Sequence, residues 1–252
     1  MKLWLAAVLT IAIVRCASIS TPARGSSADL GLTLEETHHD LRTGQTATVR
    51  LYLKGHRLKV EKSAPGVPLA TTVIDGDEGT IVEIPAPGSA PRTRSLEDLR
   101  AQYAGMERLA KSKDKLAVSR ARRARATAAL AGSAVYEPLG RSGREFGVEC
   151  AEYRVRASDA GVVAVTCFAP LAALGLDGKA FSGLEELAVR CRGTPVFAPF
   201  QRMLENLEVR GLALRTTILP SGSGKAVMEI RLEGVRREAV SDAVFLGPGG
   251  GA

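Results

Sequence analysis

Two cysteines are spaced to bridge a hairpin. If residues 150–167 fold as two strands joined by the four-residue loop Ala157–Ala160, Arg156 faces Gly161 and, counting back along both strands, Cys150 faces Cys167. In an oxidising compartment cysteines so placed bond, which stabilises the fold by about 3 kcal/mol for a loop of this size. Cys191 shares a helical face with Leu184 and Leu187 and reads as a small buried hydrophobe, not as a nucleophile. Cys16 falls at the end of an N-terminal apolar run. The cysteines beyond it are odd in number, so at least one stays unpaired or bridges chains.

The remaining chemistry-bearing types assemble no site. His38 and His39 are adjacent, and on a strand adjacent side chains point to opposite faces, so they do not share a metal. Glu35, Glu36 and Asp40 lie nearby, yet nothing in their spacing selects them as ligands, and His56 stands alone at a turn. No metal site and no cofactor is expected. Ser221-Gly222-Ser223-Gly224-Lys225 imitates the end of a phosphate-binding loop. However, Leu219 stands where the first glycine belongs, Ala226 replaces the hydroxyl residue, and the next segment is strand-like, so it reads as a hairpin turn. Gly140-Arg141-Ser142-Gly143 lacks the spacing of a nucleophile elbow and has no histidine or acid to serve it. With no catalytic set, the expectation is a protein that is not an enzyme.

The charge is uneven. The chain carries 34 basic and 27 acidic residues, a net charge of +7. The excess gathers in Arg108, Lys111, Lys113, Lys115, Arg120, Arg122, Arg123 and Arg125, interrupted only by Asp114. No aromatic residue interleaves with these charges, which argues against nucleic acid as a partner. Anionic lipid headgroups attract such a segment by about 1 kcal/mol per charge close to the surface. An acidic protein or polymer is a second expected partner. Against both stands a solvated helix that keeps the protein soluble, because the charges surround the helix and few large apolar residues accompany them.

The elements that must position these residues follow from periodicity. Leu30, Leu32 and Leu34 alternate with Gly31, Thr33 and Glu35, the pattern of a strand with one buried face. Val49, Leu51 and Leu53 repeat it, Lys54-Gly55-His56 turns the chain, and Leu58 and Val60 return. Thr72–Ile74 and Thr80–Ile84 form the next hairpin around Asp75-Gly76-Asp77-Glu78-Gly79. A Pro/Gly-rich linker, Pro85–Pro91, then leads to Ser95 and Asp98, a capping pattern that opens a helix with Leu96, Leu99, Tyr103 and Met106 on one stripe. Strands resume over Phe146–Arg156 and Val162–Phe168. Residues 179–208 read as helical, opened by Ser182 with Glu185 and divided at Pro195 and Pro199. Leu212–Ile218 and Ala226–Leu232 form a last hairpin. Antiparallel strands with two helical insertions, near 95–130 and 179–208, predict an α+β fold in which a curved antiparallel sheet packs on helices.

The N-terminus has the build of a secretory signal peptide: Lys2, an apolar run from Leu3 to Val14, then the small residues Cys16-Ala17-Ser18. Cleavage is expected at residue 18 or two residues earlier. Arg15 argues against lipidation of Cys16, because the residue before a lipidated cysteine is normally small. Residues 19–28 read as a flexible lead-in, 29–247 as one domain and 248–252 as a tail. A periplasmic or secreted protein is expected.

Three stretches together carry a family resemblance. These are Leu53-Lys54-Gly55-His56-Arg57-Leu58-Lys59-Val60-Glu61, Gly147–Phe168 with its Cys-x-x-Tyr-x-Val hairpin and second cysteine, and Gly211–Gly247 ending in Ser241-Asp242-Ala243-Val244-Phe245. The chain resembles an uncharacterised family of secreted bacterial domains similar in architecture to the periplasmic lipoprotein-localisation carriers (LolA-like). The resemblance implies an unclosed half-barrel whose concave face is covered by helices, with an apolar groove between, and a lipid or other hydrophobic ligand in it. It assigns no binding residue. Leu51, Leu58, Met228 and Ile230 are inward apolar positions expected to line such a groove. The basic segment at 108–125 sets the chain apart from the simpler carriers and gives the alternative expectation, a cell-envelope interaction module.

Overall fold

A computed structural model describes residues 30–65, 67–85, 88–110, 134–157, 162–192, 194, 197–220 and 224–246. In chain order the elements are β1 (Leu30–Asp40), β2 (Thr46–Lys54), β3 (Arg57–Ala64), β4 (Val67–Asp75), β5 (Thr80–Ile84), β6 (Arg92–Ser95), α1 (Leu96–Ala110), β7 (Ala134–Glu145), β8 (Val148–Ala157), β9 (Val162–Ala169), α2 (Ser182–Arg190), α3 (Ala198–Val209), β10 (Leu212–Pro220) and β11 (Met228–Ala239). All strands belong to one sheet in the order β6-β5-β4-β3-β2-β1-β11-β10-β9-β8-β7, and each adjoining pair is antiparallel. Two meanders therefore meet where the first strand pairs with the last. The sheet does not close, and β6 and β7 are its edges. This is the α+β arrangement of a curved antiparallel sheet with helices that the periodicity predicts.

Strand alternation builds one continuous inner face. Leu32, Leu34, Leu53, Leu58, Ile74 and Ile81 are buried along it, with Leu53 opposite Leu58 and Ile74 opposite Ile81. Leu184 and Leu187 from α2, with Phe181 just before it and Cys191 just after it, belong to the same core. The approach is close: a Cβ on Gly183 would stand 2.3 Å from the Gly55 carbonyl oxygen, so only glycine lets α2 sit directly on the β2–β3 turn. At the other end of α2, the Arg100 side chain of α1 donates to the backbone carbonyls of Arg190 and Arg192, supplying cationic donors where a helix end leaves carbonyls unpaired. On the opposite face of the sheet, Val73 packs with Val240 and Phe245, the last from the short turn Asp242–Phe245.

One local expectation holds and three are refined. Ser95 does open α1, its hydroxyl accepting from Asp98 N at 2.9 Å. Ser182 does not cap α2: its hydroxyl donates to the Lys179 carbonyl, the N-cap position is Phe181 with no side-chain capping bond, and Asp177 caps only the short turn Gly178–Phe181 that precedes the helix by accepting from Ala180 N. The strand expected from Phe146 starts at Val148, because Phe146 and Gly147 have φ of 55° and 72° and form the two-residue turn of a hairpin with β7. In the β8–β9 pair, Arg156 faces Val163 and Glu152 faces Cys167, two residues from the expected register. An even shift keeps the side chains on the same face, so Cys150 and Cys167 still bond, now across a diagonal with Cα atoms 5.3 Å apart.

Candidate apolar binding groove

The inner face is covered unevenly. Beneath α2 it is sealed, whereas α3 stands off the other half and leaves a cavity of about 530 Å³. Along four strands the lining residues recur at every second position: Leu34, Glu36 and His38 of β1, Val49 and Leu51 of β2, Ala164, Thr166 and Phe168 of β9, Ile230 and Leu232 of β11; β10, irregular between Ala213 and Arg215, lines it with the run from Leu212 to Thr216 and with Ile218. From above, α3 contributes Phe200, Arg202, Met203 and Asn206. The volume is within the roughly 300–1,000 Å³ of small-molecule sites.

The residues expected to line a groove divide along this boundary. Leu51 and Ile230 border the cavity. Leu58 does not: it faces Leu53, one pair nearer to α2 than the Leu51–Val60 pair, and is 0% exposed in the sealed core. Met228 also stays outside the lining, at the start of β11, one pair beyond Ile230 and opposite Asp40 and Ile218. Of the basic residues, Arg108 lies on the backbone of α1, while Lys111, Lys113, Lys115, Arg120, Arg122, Arg123 and Arg125 lie outside the described residues, as do the expected signal peptide with Cys16, the lead-in and the tail.

Polar groups border the apolar wall at defined places. Thr166 and Thr216, paired across β9 and β10, share a hydroxyl hydrogen bond of 3.2 Å. Glu36 is paired with His38 at 3.0 Å. Arg215 is held by Glu145 at 2.8 Å and by the buried Glu152 at 2.9 Å. At the β7–β9 end, Phe168 meets Tyr136 and Tyr153 edge-on, with ring centroids 6.2 and 5.7 Å away. Over these rings sits the Arg210 guanidinium, 3.8 Å from the Tyr136 centroid and 5.6 Å from that of Tyr153, with Nη1 donating to Asn206 Oδ1 at 3.5 Å. The disulfide backs this wall, since Cys150 and Cys167 alternate with Tyr153 and Phe168 to the opposite side of β8 and β9.

Away from the groove, His56 is clamped between two turns and α2. Its Nδ1 is 2.8 Å from Asp77, its Nε2 meets Glu186, and Arg190 approaches Asp77 at 3.5 Å. The hydrogen bonds to Glu186 and then Asp77 raise the imidazole pKa above its usual 6.5. Cys191 is buried and free, and burial pushes its thiol up to about 11. Among the described residues no group of three or more His, Cys, Asp or Glu is arranged to hold a metal ion, and no helix is long and apolar enough to cross a membrane.

Tyr136, Asn206 and Arg210 are absent from the sequence-based expectations. The α3 residues had a readable signal, since Arg202, Asn206 and Arg210 recur every four residues and form a polar stripe beside the apolar one. Tyr136 gave none, because the strand that carries it, β7, has no clean alternation.

No family profile and no curated protein matches the chain. Solved structures with a similar arrangement include an uncharacterised conserved protein from Thermus thermophilus, at 10% identity and TM-score 0.45, covering 88% of this chain and 87% of that one. MucB in the Pseudomonas aeruginosa MucA/MucB complex gives 10% identity and TM-score 0.42, over 88% of this chain and 56% of the other. A LolA superfamily protein from Nitrosomonas europaea gives 8% identity and TM-score 0.30, over 89% and 92% of the two chains. At these similarities no ligand or partner of theirs is carried to this chain.

Proposed function

We propose that this protein is a non-enzymatic periplasmic or secreted binding protein that holds a lipid chain or another apolar ligand between its sheet and α3. The observation that carries this reading is the half-covered inner face. The alternation that seals Leu32, Leu53 and Leu58 under α2 continues into Leu34, Leu51, Phe168 and Ile230, where it borders about 530 Å³ of space. Apolar area left facing such a cleft gains about 25 cal/mol per Å² when a ligand takes it out of water. The Cys150–Cys167 bond supports an oxidising compartment.

The test uses the full chain and the neutral fluorophore N-phenyl-1-naphthylamine. Saturable binding that is insensitive to salt is expected, since no charge is involved. Ala164→Phe, which places a ring in the cavity, is expected to weaken binding by about tenfold or more. Absence of saturable binding, or binding that this variant leaves unchanged, would overturn the reading.

A further inference from the structure

The wall of the cavity is largely apolar, but where β7 meets the C-terminal end of α3 there is hydrogen-bonding capacity that the described protein atoms do not use. The Tyr136 hydroxyl and Arg210 Nε are both buried and, among the described residues, neither has a hydrogen-bond partner. They are neighbours, because the Arg210 guanidinium lies over the Tyr136 ring. A buried donor without an acceptor costs about 1–3 kcal/mol; Tyr136 lines the cavity and Arg210 stands beside it and beside the lining residue Asn206, so the pair points to a ligand that reaches them from the cavity.

Charge narrows the choice. Charged groups in the lining itself are already engaged: Glu36 with His38, and Arg215 with Glu145 and Glu152. Arg210 makes no ion pair with a carboxylate of the described residues; its contacts are the two tyrosine rings and Asn206. Stacking uses the face of a guanidinium and leaves its in-plane donors available, and the fork of Nε with a terminal nitrogen matches carboxylate and phosphate oxygens.

We infer that the groove binds an anionic amphiphile, with its chain along the apolar wall and its carboxylate or phosphate headgroup on Arg210 and the Tyr136 hydroxyl. This rests on the groove reading above and adds the headgroup to it. The test displaces N-phenyl-1-naphthylamine with three ligands of one chain: oleate, 1-oleoyl-lysophosphatidate and the neutral oleyl alcohol, each below its micellar concentration. An anionic ligand is expected to bind about tenfold more tightly than the alcohol, the effect of one charge-assisted hydrogen-bonded contact. Whichever anion gains more identifies the headgroup as carboxylate or phosphate. Arg210→Gln is expected to abolish the preference, so that the anionic ligands bind that variant no more tightly than oleyl alcohol does. Tyr136→Phe, which removes one oxygen, is expected to reduce the preference, and it decides the matter if the arginine variant does not fold. Equal binding of all three ligands, or a preference that survives both substitutions, overturns the headgroup assignment and leaves the groove standing. Failure of all three to displace the probe overturns both.

Discussion

Cys191 illustrates how burial decides a residue's chemistry. Its thiol is 1% exposed among Leu184, Leu187 and Phe181, and with its pKa near 11 it stays protonated and shielded at neutral pH. Iodoacetamide at pH 8 is therefore expected to leave Cys191 unlabelled in the native protein and to label it after unfolding in urea, as read by peptide mass. Gly211 shows the same dependence on surroundings for backbone. It joins α3 to β10 with φ of 99°, and a Cβ there would stand 2.0 Å from the Ala169 carbonyl oxygen, a backbone atom that cannot rotate away. Gly211→Ala combines strain with a clash and is expected to lower stability by about 2 kcal/mol or more in a urea titration. Because Gly211 also borders the cavity, displacement of the α3–β10 joint would reach the groove directly.

Between elements, two tethers are open to measurement. His56 ties the β2–β3 and β4–β5 turns to α2 through Asp77 and Glu186. Its folded-state pKa is raised, so its contribution is complete below the unfolded value of 6.5 and is lost as pH rises through the folded value. Asp77 is lowered, chiefly by the His56 hydrogen bond, so its contribution is present above its ordinary 3.8 and fades as pH falls through the lowered value. The clamp is thus strongest in mildly acidic solution, and His56→Gln is expected to reduce Tm more at pH 6 than at pH 9. The Cys150–Cys167 bond ties β8 to β9, and Cys150→Ala with Cys167→Ala is expected to cost about 3 kcal/mol in a urea titration. That bond was legible in the sequence even though the register was not, because a shift by two residues preserves the face. β7 was not legible: Pro138, Gly140 and Gly143 break its alternation, and its pairing with β8 is irregular between Pro138 and Ser142. Tyr136 was lost with it. The groove boundary was hidden for a different reason. Leu51 and Leu58 share one face and one pattern, and only the placement of α2 and α3, which no local period encodes, covers one and leaves the other beside the cavity.

At the scale of the whole molecule, the first and last strands pair in the middle of the sheet, so one inner face runs without a break from β5 to β8. Continuity of the sheet with discontinuity of its cover makes the two halves respond differently to the same change. Leu58→Ala empties a site with no access to solvent and is expected to cost about 2–5 kcal/mol, the range for a leucine removed from a close-packed core. Leu51→Ala enlarges a space that already exists, leaves fewer packing contacts to lose, and is expected to cost about 1 kcal/mol. Ligand linkage reverses the ranking. A ligand at a hundredfold excess over its Kd stabilises the native state by about 2.7 kcal/mol. That gain is expected to survive in Leu58→Ala, provided the variant folds, and to shrink in Leu51→Ala, where part of the wall against the ligand is missing. Urea titrations of the three proteins with and without N-phenyl-1-naphthylamine measure both effects together. Equal costs for the two substitutions would mean that the inner face is one closed core, and an equal ligand-induced gain in all three proteins would place the ligand away from Leu51.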